Sequence, residues 1–75
     1  MKELIEYIAK SIANVPDDVV VTQEEDEQGI MLKLQVADED KGRVIGKQGQ
    51  IAKAMRTLLR VKAAKQGIRA SLEIL

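Results

Sequence analysis

The sequence predicts a two-layer α+β domain, with helices packed on one face of a three-stranded sheet, in the order α-β-β-α-turn-α-β. Three observations carry that reading. Apolar residues recur at helical spacing over 2 to 13 and 50 to 65, and they alternate at every second residue over 30 to 36 and 68 to 74. Gly46 and Gly49 punctuate the chain between the last two helices. At 75 residues the chain is expected to form one domain, residues 1–75, with no length for a second core. So short a domain buries only about 60% of its unfolded surface, and self-association is expected to add stability.

Leu4, Ile5, Ile8, Ala9 and Ile12 fall on one side of the first helix, with Lys2, Glu3, Glu6 and Lys10 largely on the other. Asn14 suits its end, and Val15-Pro16 stops it, because the residue before a proline is pushed out of the α region. Tyr7, the sole aromatic, suits packing or a partner contact better than base stacking. The β-branched run Val19-Val20-Val21-Thr22 makes a strand, and Gln23 to Gly29 reads as an exposed loop ending in a turn glycine. Ile30, Leu32, Leu34 and Val36 then alternate with Met31, Lys33 and Gln35, so a second strand buries one face and closes a hairpin. Asp38, Glu39 and Asp40 are placed to cap a short helix over about 39 to 45, which Gly46 ends.

In the helix over 50 to 65, Ile51, Met55, Leu58 and Leu59 fall toward the core, with Lys53, Arg56 and Arg60 nearly opposite. Gly67 provides the exit. Ile68, Ala70, Leu72 and Ile74 alternate with Arg69, Ser71 and Glu73 as the third strand.

Composition removes most chemistry. With no cysteine and no histidine, the chain lacks disulfides, thiol nucleophiles, the usual zinc ligands and the commonest general base. No cofactor and no catalytic residue is expected. Adjacent carboxylates at 24 to 27 specify no metal geometry and are expected to be solvated. The first residues lack a signal-peptide pattern and no apolar run reaches membrane-span length, so a cytoplasmic location without membrane attachment is expected. The net charge of zero hides a segregation: residues 1 to 40 carry 11 acids and 3 bases, whereas residues 41 to 69 carry 9 bases and no acid. One region therefore attracts polyanions and another repels them.

The basic half coincides with Gly42-Arg43-Val44-Ile45-Gly46-Lys47-Gln48-Gly49-Gln50-Ile51. A turn that lies against a sugar-phosphate backbone cannot carry Cβ atoms where the two meet, and glycine also reaches positive φ cheaply. The helix after Gly49 points its N–H groups and positive dipole end at the turn, which favours phosphate there, and Lys47 adds a mobile charge. A nucleotide-hydrolysing phosphate loop does not fit, because only three residues separate Gly42 from Gly46 and Gln48 stands where a Ser or Thr would hold magnesium. A DNA-reading helix-turn-helix fits the outline of the two helices, but a three-strand sheet is foreign to the usual three-helix unit. One aromatic in the whole chain excludes base-stacking sheets.

Val44-Ile45-Gly46-Lys47-Gln48-Gly49-Gln50-Ile51 resembles the signature of KH domains, Val/Ile-Ile-Gly-x-x-Gly-x-x-Ile, with Ile51 standing one residue nearer the second glycine than the pattern places its isoleucine. A helix and hairpin before the motif and one strand after it resemble the type II KH topology, and across its length the chain is similar to the small bacterial KhpA (YlqC) family. The resemblance implies a groove holding about four nucleotides of single-stranded RNA. Gly46, Lys47, Gln48 and Gly49 would carry the RNA backbone, Arg43 and Lys53 would flank it, and Val44, Ile45 and Ile51 would shape an apolar floor. Ile45 and Ile51 fit equally well as purely internal residues. The resemblance also implies a homodimer, pairing with a larger KH protein (KhpB, also called Jag or EloR), and a part in cell shape.

The expected function is non-enzymatic binding of single-stranded RNA, as an RNA chaperone or post-transcriptional regulator. Two alternatives stand beside it: a dimerisation subunit of a KH-protein complex with residual RNA binding, and a helix-turn-helix-like DNA binder.

Overall fold

The computed structural model describes residues 1–75. Helix α1 spans Lys2–Ile12 and is tied along its outer side by Glu6, which meets Lys2 and Lys10 at 3.8 and 3.9 Å. Its inner side buries Ile5 and Ala9 completely. A single 3-10 turn, Pro16–Asp18, leads into strand β1 (Val20–Asp26), which pairs antiparallel with β2 (Gly29–Gln35). The Asp26 carboxylate closes the hairpin by accepting the N–H groups of Gln28 and Gly29 at 2.8 and 3.0 Å, an Asx turn.

The expected loop from Gln23 is instead strand as far as Asp26, with Glu24 opposite Met31 and Glu25 opposite Ile30. β1 is an edge strand, and a solvated edge tolerates carboxylates, which also deter pairing with other chains. Strand alternation sends Glu24 and Asp26 to one face and Glu25 to the other.

After β2 the chain makes a 3-10 turn, Asp38–Asp40, and then helix α2 (Lys41–Ile45). Lys47–Gly49 forms a tight turn, helix α3 spans Gln50–Lys65, and β3 (Arg69–Ile74) runs parallel to β2. The sheet order is β1-β2-β3, so the central strand is β2. Gly29 makes the parallel pairing possible, because a Cβ there would stand 2.1 Å from the Arg69 carbonyl oxygen. The core lies between the sheet and the helices: Val21, Leu32, Leu34 and Leu72 meet Ile5, Ala9, Val44, Met55 and Leu59. Its opposite sheet face carries Thr22, Lys33, Gln35, Ser71 and Glu73 and is covered by nothing. No helix is long and apolar enough to cross a membrane.

Two expected placements differ. Leu58 is 49% exposed; the buried positions of α3 are Ala52, Met55, Leu59 and Ala63. The alanines make that stripe shallow, so the helix seats closely on the sheet and Leu58, about 60° around from Met55, stays outside. Asp40 does not cap α2 with its side chain. It is fully buried and turns the other way, accepting the backbone N–H groups of Asn14 at Oδ1 and Val15 at Oδ2, both at 2.9 Å. One carboxylate thus pins the link after α1 to the start of α2.

Candidate nucleic-acid interface

The sharp corner between α2 and α3 is made by backbone conformations that few residues adopt. Gly46 has φ 78° and ψ 170°, a region essentially restricted to glycine, and Gly49 is left-handed with φ 74° and ψ 16°. Between them Gln48 is also left-handed, φ 58° and ψ 24°, the one non-glycine residue at positive φ. The corner is held internally, by Gly46 N–H donating to the Gly42 carbonyl at 2.9 Å and Gly49 N–H to the Gly46 carbonyl at 3.1 Å. Lys47 and Gln48 are left exposed at its tip, and the positive end of the 16-residue α3 opens directly behind them.

The two glycines have different surroundings. A Cβ on Gly46 would meet Ile51 Cγ1 at 2.6 Å, whereas one on Gly49 would meet nothing within 4 Å. Gly46 is required by the protein's own packing, and Gly49 leaves open surface.

Of the remaining expected site residues, Lys53 is exposed one turn into α3. Arg43 is on α2 with its side chain 56% exposed, its Nε 4.0 Å from Asp40 Oδ1. Val44 is fully buried in the core and offers no surface to a ligand, while its neighbour Ile45 is 40% exposed. The apolar lining available beside the turn is therefore Ile45 with half-buried Ile51, and Val44 supports it from beneath.

Arg56 and Arg60, read from the sequence only as part of a basic stripe, line a recess of about 190 Å³ between α3 and β3 together with Leu59, Ala70, Ser71 and Leu72. Arg56 Nε reaches the Leu72 carbonyl at 3.4 Å. Lys53, Arg56 and Arg60 share one side of α3 at about 100° per residue, so a basic track leads from the turn to the β3 edge. The signal was present in that spacing; what the sequence did not contain was which side of α3 faces β3. None of the bases from Lys47 to Arg69 makes an ion pair. Their charge is not neutralised by a carboxylate of the chain.

A family model described as the KH domain of KhpA/KhpB matches residues 2–74. Proteins named RNA-binding protein KhpA are similar along essentially their whole length. That of Clostridium acetobutylicum is 52% identical over 75 residues, covering 100% of both chains. That of Listeria monocytogenes is 49% identical, covering 100% of this chain and 99% of the relative. That of Treponema pallidum is 47% identical over 74 residues, covering 99% and 92%. Among solved structures, that of Aquifex aeolicus Era Y63A bound to GDP.AlF4- superposes with a TM-score of 0.69 at 24% identity, over 97% of this chain and 28% of that one. At that identity the likeness is one of fold alone.

Proposed function

The chain belongs to the KhpA/KhpB KH-domain family, and from that membership we propose that it is an RNA-binding protein that grips a single strand at the Gly46–Gly49 turn. The observation that carries the clamp is the glycine pair: Gly49 has positive φ with no neighbour near its absent Cβ, so open space stands over this half-buried backbone beside exposed Lys47 and Gln48. A phosphodiester approaches such a surface without steric cost and meets the positive end of α3. Lys53, Arg56 and Arg60 continue the contact toward β3, Arg43 flanks it on the α2 side, and Ile45 with Ile51 gives the bases an apolar rest. Binding and display of about four nucleotides is then the whole mechanism, without a chemical step, in an RNA chaperone or regulator acting in the cytoplasm.

The test is fluorescence anisotropy of a short unstructured RNA with the wild type and with Lys47→Asp/Gln48→Asp, after circular dichroism shows both folded. Loss of binding by the variant supports the clamp. Equal binding, or stronger binding of duplex DNA than of single-stranded RNA by the wild type, rejects it.

A second surface favours pairing with another copy or with another KH protein. Leu58 and Val61 are 49% and 53% exposed and, with exposed Ala54, form an apolar stripe on α3. This stripe lies roughly 140° around the helix from the basic one. A dimer through it would leave both RNA tracks open, and joining two grooves raises avidity by effective concentration.

A further inference from the structure

Asp40, Asn14 and Arg43 form a chain of contacts that runs from the buried joint between α1 and α2 to an exposed arginine. The buried Asp40 carboxylate fixes the backbone of Asn14 and Val15 through two hydrogen bonds of 2.9 Å. Asn14 is thereby held beside α2, although it lies in the link after α1. With the Asn14 amide oriented as its neighbours demand, its oxygen accepts from Arg43 Nη2 at 3.2 Å and from Nε at 3.3 Å. Arg43 Nε also lies 4.0 Å from Asp40 Oδ1. The guanidinium is gripped along its Nε–Nη2 edge while the side chain stays 56% exposed, and Nη1 has no partner within the protein.

An arginine on a five-residue helix would otherwise sample many rotamers, and holding it for a phosphate would cost side-chain entropy at each binding event. Here that ordering is already done in the free protein. We infer that Asn14 is a positioning residue for RNA binding: set in place by Asp40, it holds Arg43 so that the free end of the guanidinium meets a phosphate next to the Gly46–Gly49 turn. The inference rests on the clamp reading proposed above.

The test is a double-substitution cycle on RNA affinity, with circular dichroism and thermal unfolding run on every variant. Asn14→Ala removes the amide and keeps the backbone N–H that Asp40 holds. It is expected to weaken RNA binding about threefold to fivefold, the scale of one solvent-screened ionic contact, and Arg43→Ala by a similar factor. Combined, they are expected to be no worse than Arg43→Ala alone. Arg43→Lys keeps the charge but lacks the planar edge that Asn14 grips, so adding Asn14→Ala to it is expected to change nothing. A purely structural Asn14 would lower thermal stability and leave the two losses additive.

Additive losses, unchanged binding by Asn14→Ala, or wild-type binding by Arg43→Ala each overturn the inference. Lys47→Asp/Gln48→Asp run alongside separates the causes. If it also binds like wild type, the clamp reading has failed; if it alone loses binding, the positioning role of Asn14 has failed and the clamp stands.

Discussion

A Cβ on Gly46 would stand 2.6 Å from Ile51 Cγ1 and 2.9 Å from the Ile51 backbone nitrogen. The first glycine of the turn therefore lets α3 start where it does, while at the second the space for a Cβ is open and only the left-handed backbone angle opposes a side chain. Gly46→Ala is expected to destabilise the fold by about 3 kcal/mol, from a backbone region closed to alanine and from the contact with Ile51. Gly49→Ala is expected to cost about 1 kcal/mol, the left-handed penalty alone. Urea unfolding of the two variants checks the difference, and equal costs would show that the packing of Gly46 on Ile51 does not matter.

Asp40 is the one charged residue with no exposed surface, and both its oxygens accept backbone N–H groups. Asp40→Ala leaves those donors without partners across the joint between α1 and α2. The expected loss is about 2–3 kcal/mol, that of hydrogen bonds to a charged acceptor. The neighbouring Asp38 and Glu39 are exposed, and replacing either with alanine is expected to stay within about 0.5 kcal/mol. Denaturant midpoints for the three variants measure the contrast.

The element order was legible because α1, α3, β2 and β3 each carry a period of their own: Leu32, Leu34 and Val36 alternate, and Ile5 and Ala9 stand one turn apart. The turn was legible because Gly46 and Gly49 answer a backbone demand that no other residue meets so cheaply. What was hidden depends on neighbours distant in sequence. Nothing local in Gln23 to Asp26 announces a strand, because its partner is β2 and its edge is wet. Val44 and Ile45 are equally apolar, and a helix of five residues shows no period by which to tell the buried one from the exposed one. Asp40 looked like a helix cap because its real partners, Asn14 and Val15, lie 26 and 25 residues earlier.

Gly42 sits inside α2 with nothing within 4 Å of where its Cβ would be, and its φ is not positive. A glycine in a helix interior costs roughly 0.5–1 kcal/mol relative to alanine. Gly42→Ala is expected to raise stability by about that much. A thermal melt reads it directly, and a lower melting temperature would mean that α2 is not helical at this position in solution.

If two copies meet through the apolar stripe of α3, Val61→Asp places a charge in the seam. Sedimentation equilibrium is expected to show a dimer for the wild type and a monomer for Val61→Asp, with the circular dichroism spectrum unchanged because Val61 is not part of the core. RNA of about four nucleotides should bind both alike, while a longer RNA spanning two grooves should bind the monomer more weakly.

The basic track predicts how binding responds to salt. If about four phosphates are neutralised, the slope of log K against log salt for single-stranded RNA should be near −3, because each contact contributes about −0.7. Lys53→Ala and Arg60→Ala, on the side of α3 facing the recess, are each expected to make the slope shallower by about 0.7. Lys62 is also exposed and also makes no ion pair, but lies on the Leu58 side of the helix. Lys62→Ala is expected to leave the slope unchanged. Anisotropy titrations at four or five salt concentrations distinguish the cases: three equal decrements would mean that RNA senses the net charge of α3, whereas decrements confined to Lys53 and Arg60 would trace the path of the strand along one side.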